Sequence, residues 1–354
     1  MKKLFAMILV IAMLVSLVGC GGSSAPAATE APKADAPAAT QAAEKPAADP
    51  IVLKYNLIVT EEDAQSVGAR KFKEVVEELS GGQITVQLYY NSTLYTQDGA
   101  FPALMSGELE VTNISIQQIS EIVPSMAMFA STYFFKDYDH MRAMVASDVG
   151  AEINKTIEEQ VKIIPLAYYY NGARQLNLKT DKEIMTPEDM KGIVLRMPES
   201  AAWIAAGEAL GASVTALSRS EVYTALQYGT IDAQDNPMSG TYDSKYYEVT
   251  NQMSLTYHII DFAPISICEK VWNQLNDEQK GWLYQAAEAG AAEIDAIQLQ
   301  REAEMISFFE GEGLKIVYPD VAAFKAYAEN YYKSNGLMDD WDMDVYAKVQ
   351  ALAG

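Results

Sequence analysis

Residues 185–237 read MTPEDMKGIVLRMPESAAWIAAGEALGASVTALSRSEVYTALQYGTIDAQDNP, and the order of breaks and apolar runs in them decides the class of fold. Thr186 and Pro187 open a short helix: threonine is the N-cap, proline takes the first helical position, and Asp189 stands as the capping partner. Ile193-Val194-Leu195-Arg196-Met197 is an apolar strand, ended by Pro198, which has no N–H to give a sheet ladder. The spacing predicts a helix over 200–210 stopped at Gly211 and another over 218–228 stopped at Gly229. Residues 232–237, Asp-Ala-Gln-Asp-Asn-Pro, read as a turn-rich exit. Strands alternating with helices make an α/β fold, whose ligands lie outside the carboxyl ends of the strands. Arg196 sits at such an end, and the rest of the chain reads as walls around it.

Toward the N-terminus the alternation continues. Residues 51–57 read as a buried strand. Residues 61–80 read as an amphipathic helix with Val67, Phe72, Val75, Val76 and Leu79 on its apolar face, acidic residues in its first turn and Gly81 as its stop. Strands over 84–90 and 111–116 flank a short helix over 100–107, giving β-α-β-α-β, the pattern of a doubly wound parallel sheet. Pro124 breaks an apolar stretch at 122–135; one helix is expected over 139–160 and a strand over 161–170. Asn171-Gly172 reads as a turn, which places Arg174 just beyond that strand, a second cation in the same kind of position as Arg196.

Downstream, residues 253–260 and 262–268 read as strands crossing between domains. Asn276 caps a helical pattern running to about residue 309, roughly 45–50 Å long at 1.5 Å per residue. A helix of that length can brace two domains. A last strand is expected at 314–318, and the chain from 321 onward is mostly helical.

The composition bounds the function. A chain of 354 residues fits two domains. With 26 Lys and Arg against 48 Asp and Glu, the formal net charge is −22, which argues against nucleic acid. Two cysteines, Cys20 and Cys268, and two histidines, His140 and His258, are too few and too scattered for a zinc site. No nucleophile elbow, P-loop, HExxH or dinucleotide fingerprint is present, so neither an enzyme nor a cofactor is expected.

Residues 1–50 stand apart. Met1-Lys2-Lys3 followed by an apolar run over 4–18 matches a secretory signal, too short to span a bilayer comfortably. Leu17-Val18-Gly19-Cys20 resembles the bacterial lipobox, which implies a signal peptide at 1–19 and a lipidated Cys20 anchoring the chain to an extracytoplasmic membrane face. Residues 21–50 contain no aromatic residue and no Val, Ile or Leu, so 20–50 are expected to be anchor plus tether, with about 30 Å of root-mean-square reach.

An ordered series of short motifs carries a resemblance. It comprises Tyr170-Asn171-Gly172-Ala173-Arg174, Pro187-Glu188-Asp189-Met190-Lys191-Gly192, Leu195-Arg196-Met197-Pro198, Leu210-Gly211-Ala212, Ser220-Glu221-Val222-Tyr223-Thr224-Ala225-Leu226-Gln227, Ile231-Asp232 and Asp235-Asn236-Pro237, with Gly81-Gly82 before a strand and Tyr257-His258 at a crossing. The chain over 51–335 resembles the substrate-binding subunit of tripartite ATP-independent periplasmic (TRAP) transporters, of the DctP type. The resemblance implies a periplasmic-binding-protein-like, type II-like fold: two α/β domains, crossing hinge strands, a long helix spanning both, and a cleft closing on an organic acid. On it, residues 51–171 with 262–301 form one domain and 172–261 with 302–354 the other. It further implies a monomer that delivers its ligand to small and large membrane permease subunits.

The resemblance also implies a site. The arginine of the family's Lys-(Leu/Ile)-Arg-Val-Pro motif pairs with the ligand carboxylate, and Val194-Leu195-Arg196-Met197-Pro198 gives that role to Arg196. Arg174 neutralises the same end, and Asn236 suits a hydroxyl or keto oxygen. Sialic-acid-binding members carry a phenylalanine where Arg219 stands and a glutamate and arginine around 113–118, where this chain has Ser115 and Gln118, which speaks against sialic acid. Arg219 sits in a first helical turn, against the dipole, and a third cation facing the cleft would favour a second carboxylate, hence a C4-dicarboxylate. A sugar acid is the alternative ligand. Trp203 stacks on the ligand or packs in the core. Strand alternation lets Tyr170 line the wall together with Tyr168, or Tyr169 alone. His258, on a crossing strand, reads as structural. A component of an ABC importer or sensor, or an enzyme acting on a carboxylic acid, stays open as an alternative.

Overall fold

The computed structural model describes residues 50–354. The expected signal at 1–19, Cys20 and the Ala/Pro segment lie outside the described residues, apart from Pro50.

Ten strands build one connected sheet: β1 Ile51–Asn56, β2 Ile84–Tyr89, β3 Val111–Asn113, β4 Ile163–Leu178, β5 Val194–Met197, β6 Ser213–Ala216, β7 Ala233–Pro237, β8 Gln252–Ser254, β9 Ile260–Cys268 and β10 Lys315–Val317. Their order is β2-β1-β3-β9-β4-β7-β5-β6, with β8 against β4 and β10 against β8. The strands β1, β2 and β3 are parallel, as are β5, β6 and β7, but β4 and β9 run antiparallel to their neighbours. The sheet is therefore mixed, where the β-α-β-α-β pattern alone predicts a parallel one.

The registers expose a neck. On β9 the pairing with β3 ends at Ile265, and on β4 the pairing with β7 begins at Arg174. Between these limits, residues 168–173 of β4 and 260–264 of β9 pair only with each other. A bare two-stranded ribbon thus joins a lobe built on β1–β3 to a lobe built on β5–β8 and β10. Chain segments from both halves of the sequence enter each lobe.

The long helix is Asp277–Gly311, thirty-five residues, opened by a reciprocal capping box between Asn276 and Gln279. It serves both lobes. Near its start it lies against the helix Ala64–Leu79 at a glycine contact, where a Cβ on Gly68 would come within 2.6 Å of the Gly290 carbonyl oxygen. Near its end Met305 and Phe309 pack with Met238, Met253, Leu255 and Leu314. In between, Asp295 accepts from the Tyr170 N–H at 2.7 Å, and Glu302 accepts from the Ala173 N–H at 2.6 Å. The helix is fastened to the neck by these two carboxylates.

Several sequence expectations give way. The first helix starts at Ala64, because Asp63 is its N-cap; Glu61 and Glu62 precede it, and Leu79 is 39% exposed while Ala64, Gly68 and Ala69 are buried. The helix expected over 139–160 is two, Tyr138–Val145 and Asp148–Val161, because Ser147 caps a new start by accepting from the Val149 N–H. Residues 233–237 form a wholly buried central strand, and the unpredicted β6 is a mostly exposed edge. Of the crossing strand expected over 253–260, only 253–254 form strand, at the end of β8, and Ile260 opens β9. The final helix, Met343–Gln350, does not follow 302–342 into the second lobe: Val349 is buried in the cluster holding Phe134, Phe135 and Ile157, and its carbonyl bonds to His140 Nε2 at 2.8 Å.

Candidate functional site

The lobes face each other across a cleft of about 570 Å³, part of it open to solvent, the size range of small-molecule pockets. Gln65, Gln97, Asn113, Ser115 and Gln118 come from the first lobe. Arg174, Arg196, Trp203, Arg219 and Asn236 come from the second, and Tyr169, Asn171 and Asp261 from the neck. Six of the seven residues singled out for ligand contact therefore converge: Arg196, Arg174, Asn236, Arg219, Trp203 and Gln118.

Tyr170 does not join them. Its hydroxyl donates to Glu302 at 2.7 Å and its ring packs against Tyr138. Side chains alternate along a strand, so Tyr169 alone turns to the cleft, where its hydroxyl donates to Gln65 at 3.0 Å.

Three arginines reach the cleft in three different electrostatic situations. Arg174 lies within β4, because the chain does not turn at Asn171-Gly172 but bulges and continues. Gly172 makes the bulge possible with φ of +112°; a Cβ there would also lie 2.7 Å from Pro237. The Arg174 fork is fully engaged with protein carboxylates. It grips Asp235 through Nε at 2.6 Å and Nη2 at 3.0 Å, and Asp261 through Nη1 at 2.8 Å. Burial acts to pull its guanidinium down, but the two carboxylates outweigh it and hold the group above its ordinary range. Burial likewise pushes Asp235 up, and Arg174 and His258 outweigh that and hold its carboxyl well below the usual range. Trp203 covers this arrangement, its ring 4.4 Å from the Arg174 guanidinium carbon.

His258 is part of the same support. Its Nε2 stands 3.2 Å from Asp235 and its Nδ1 2.7 Å from the Thr256 hydroxyl, and burial keeps the ring's pKa below the ordinary value.

Arg219 spans the cleft. Its guanidinium lies 3.6 Å from Asp63, on the opposite lobe, and donates to Ser244 at 3.0 Å. Asp63 in turn neighbours Asp243, which holds Arg301 of the long helix at 2.5 Å.

Arg196 differs from both. It is 2% exposed, at the end of β5. Its Nε donates to the Leu217 carbonyl at 2.8 Å, and its Nη2 is buried with no protein partner among the described residues. Burial, the largest influence, pushes it down to about 10. A buried cation without a counter-ion is costly, and the arrangement is suited to receive an anion.

Most of the remaining polar lining of the cleft is neutral, Asp261 being the exception. A run of hydrogen bonds crosses its floor. Tyr55 donates to Asn113 at 2.7 Å, Asn113 to Gln65 at 2.9 Å, Gln65 to Asn171 at 3.2 Å, and Asn171 to Asp261 at 2.8 Å. Sequence reasoning did not find Gln65, Gln97, Asn113, Asn171 or Asp261. Asn113 and Asp261 lie on strands that carry no motif; Asn171 lies inside a quoted one but was read only as a turn residue.

Comparison with known proteins identifies the family. Residues 55–336 match the bacterial extracellular solute-binding proteins, family 7 (DctP). The sialic acid-binding periplasmic protein SiaP of Vibrio cholerae is 31% identical over 266 residues, 75% of this chain and 82% of that one. A TRAP periplasmic solute-binding protein of Roseobacter denitrificans, solved with bound 3-deoxy-D-manno-oct-2-ulosonic acid, is 36% identical with a TM-score of 0.82, over 86% of this chain and all of the other. A second from that organism, solved with L-galactonate, is 27% identical with a TM-score of 0.78, over 86% and 99%. The two-lobed α/β fold and the match across most of the chain place it plainly: this chain belongs to family 7 of the bacterial extracellular solute-binding proteins, the DctP-type solute receptors of TRAP transport.

Proposed function

We propose that the cleft takes one polyhydroxylated monocarboxylate, a sugar acid of the aldonate or uronate kind. The observation that carries this is the charge count. Of the three cleft arginines, Arg174 is matched by Asp235 and Asp261, and Arg219 by Asp63; Arg196 alone has no carboxylate partner among the described residues. One unmatched cation suits one carboxylate, bound through the guanidinium fork. The expectation of a second carboxylate at Arg219 loses its basis, because Asp63 occupies that charge. Amides and a hydroxyl at Gln97, Asn113, Ser115, Gln118 and Asn236 suit sugar hydroxyls, since a site built of paired polar groups rejects ligands that leave them unpaired. The acids in the two Roseobacter proteins are of this chemical kind.

The lobes, taken as 51–171 with 262–301 and 172–261 with 302–342, close on the ligand about the neck, and the closed form is the surface that membrane permease subunits read. The last helix belongs with the first lobe. The receptor acts as a monomer, held at the extracytoplasmic membrane face by a lipid on Cys20.

Titration calorimetry with aldonates, uronates and C4-dicarboxylates tests the ligand class. Binding of a sugar acid that weakens about 100-fold or more in Arg196→Ala, the effect of losing a buried charge partner, is the expected result. Binding of a dicarboxylate in preference to every monoacid, or binding indifferent to Arg196→Ala, rejects it. Loss of the protein from the membrane fraction in Cys20→Ser checks the anchor.

A further inference from the structure

Asp261 presents a negative charge to a cleft that receives an anion. It sits on β9 opposite Gly172 at the bulge of the neck, with its side chain about 6% exposed. Its Oδ2 is fully used, accepting from Arg174 Nη1 and from Asn171 Nδ2, each at 2.8 Å. Its Oδ1 accepts no hydrogen bond from any described residue, although the residue lines the cleft. A carboxylate oxygen has lone pairs and no proton, so it recognises a donor and rejects another carboxylate.

The surroundings amplify that sign. One guanidinium, Arg174, serves two carboxylates, Asp235 and Asp261. The remaining ionisable partner, His258, is fully buried, and burial disfavours its charged form. This end of the cleft therefore carries a formal excess of one negative charge, while Arg196 contributes one positive charge without a protein counter-ion. The cleft is polarised, cation at the end of β5 and anion at the neck.

We infer that Asp261 is the specificity-determining residue of the cleft. Its free oxygen accepts from a ligand hydroxyl and turns away acids that bring a second carboxylate to the neck, which orients a monoacid with its carboxylate on Arg196. The inference rests on the reading of Arg196 as the carboxylate receptor. Asp261 is also a positioning residue for Arg174, so the test must separate ligand choice from folding.

Matched pairs do so. An aldonate and its aldarate differ only in whether the far terminal carbon is a hydroxymethyl group or a carboxylate; gluconate with glucarate and galactonate with galactarate are the probes. Calorimetry on the whole body is expected to show the wild type preferring the aldonate at least tenfold, and Asp261→Asn narrowing that gap at least tenfold, with Asp261→Glu preserving it. A merely structural role would weaken both acids of a pair alike. A gap unmoved in a folded Asp261→Asn protein overturns the assignment while leaving the carboxylate reading intact, provided Arg196→Ala abolishes binding of both acids. Wild-type protein that binds aldarates as tightly as aldonates overturns it without any variant. Binding that survives Arg196→Ala overturns the underlying reading, and this inference with it.

Discussion

At the scale of single residues, three arginines that look alike in the chain have three fates. Sequence locates the cations, because strand ends and turn residues are local signals, but not their counter-ions. Asp235 and Asp261 are 61 and 87 residues from Arg174, and nothing local to either marks it as a partner. Asp63, which takes the charge of Arg219, is locally only a helix cap. This is why six residues that line the cleft were readable and the charge balance was not. The difference between Arg196 and Arg174 predicts opposite outcomes for one substitution. Arg196→Met replaces an uncompensated buried cation with an apolar chain, so the ligand-free protein should melt no lower than wild type while binding is lost. Arg174→Met strands two buried carboxylates and should lower stability by about 3–5 kcal/mol. Denaturant melts of both variants check the pair, and equal losses would contradict it.

At the scale of elements, errors fell where long-range pairing overrode a local signal. Asn171-Gly172 is turn chemistry, yet β9 opposite and the carboxylates of the long helix behind satisfy the bulged backbone and let β4 run on for sixteen residues. Residues 233–237 are polar enough to pass for a turn, but lie between β4 and β5. Strong local signals held: the Asn276 cap, the Thr186–Asp189 box and the Gly229 stop. Two predictions belong here. Gly290→Ala would place a Cβ 2.7 Å from the Gly68 carbonyl oxygen; backbone cannot yield as a side chain does, so a loss of about 1–3 kcal/mol is expected in denaturant melts. The second concerns pH. Burial first, then the neighbouring Asp63, pushes Asp243 up to about 7. A carboxyl whose folded pKa exceeds its unfolded value of about 3.9 binds a proton on folding between those limits. Its contribution is fully present below about pH 4 and lost as pH rises toward 7. Melting temperatures recorded from pH 4 to 8 should therefore show a downward component in wild type that Asp243→Asn removes. Parallel profiles for the two proteins would refute the assignment.

At the scale of the whole molecule, the two-domain organisation was visible because it leaves large marks: strands between helices on both sides of a midpoint, and one helix too long for a single lobe. The sequence did not show that both lobes hang on one sheet, since a register is a relation between distant strands. Nor did it show that the last helix returns to the first lobe, where its one fully buried anchor is Val349. A sheet shared across lobes and a helix packed on both predict cooperative melting. Residues 50–354 should unfold in a single calorimetric transition coincident with loss of near-ultraviolet dichroism, and ligand at 100 times its Kd should raise the stability of the whole by about 2.7 kcal/mol. Two separated transitions, with ligand shifting only one, would show that the lobes are energetically independent.

The neck has a mechanical consequence. Two paired strands with no third neighbour twist more strongly than a broad sheet and lack a third strand to hold that twist, and here five residue pairs form the span. A helix bolted along one side through Asp295 and Glu302 stiffens the span against bending toward that side. The combination is expected to act as a flexure, softer in torsion than in bending toward the helix. Its spring constant is set by the pairs from Tyr168 to Ala173 and by two carboxylate fastenings. Opening rate can then be tuned by substitutions at the fastenings, at a distance from Arg196 and without altering which acid the cleft prefers.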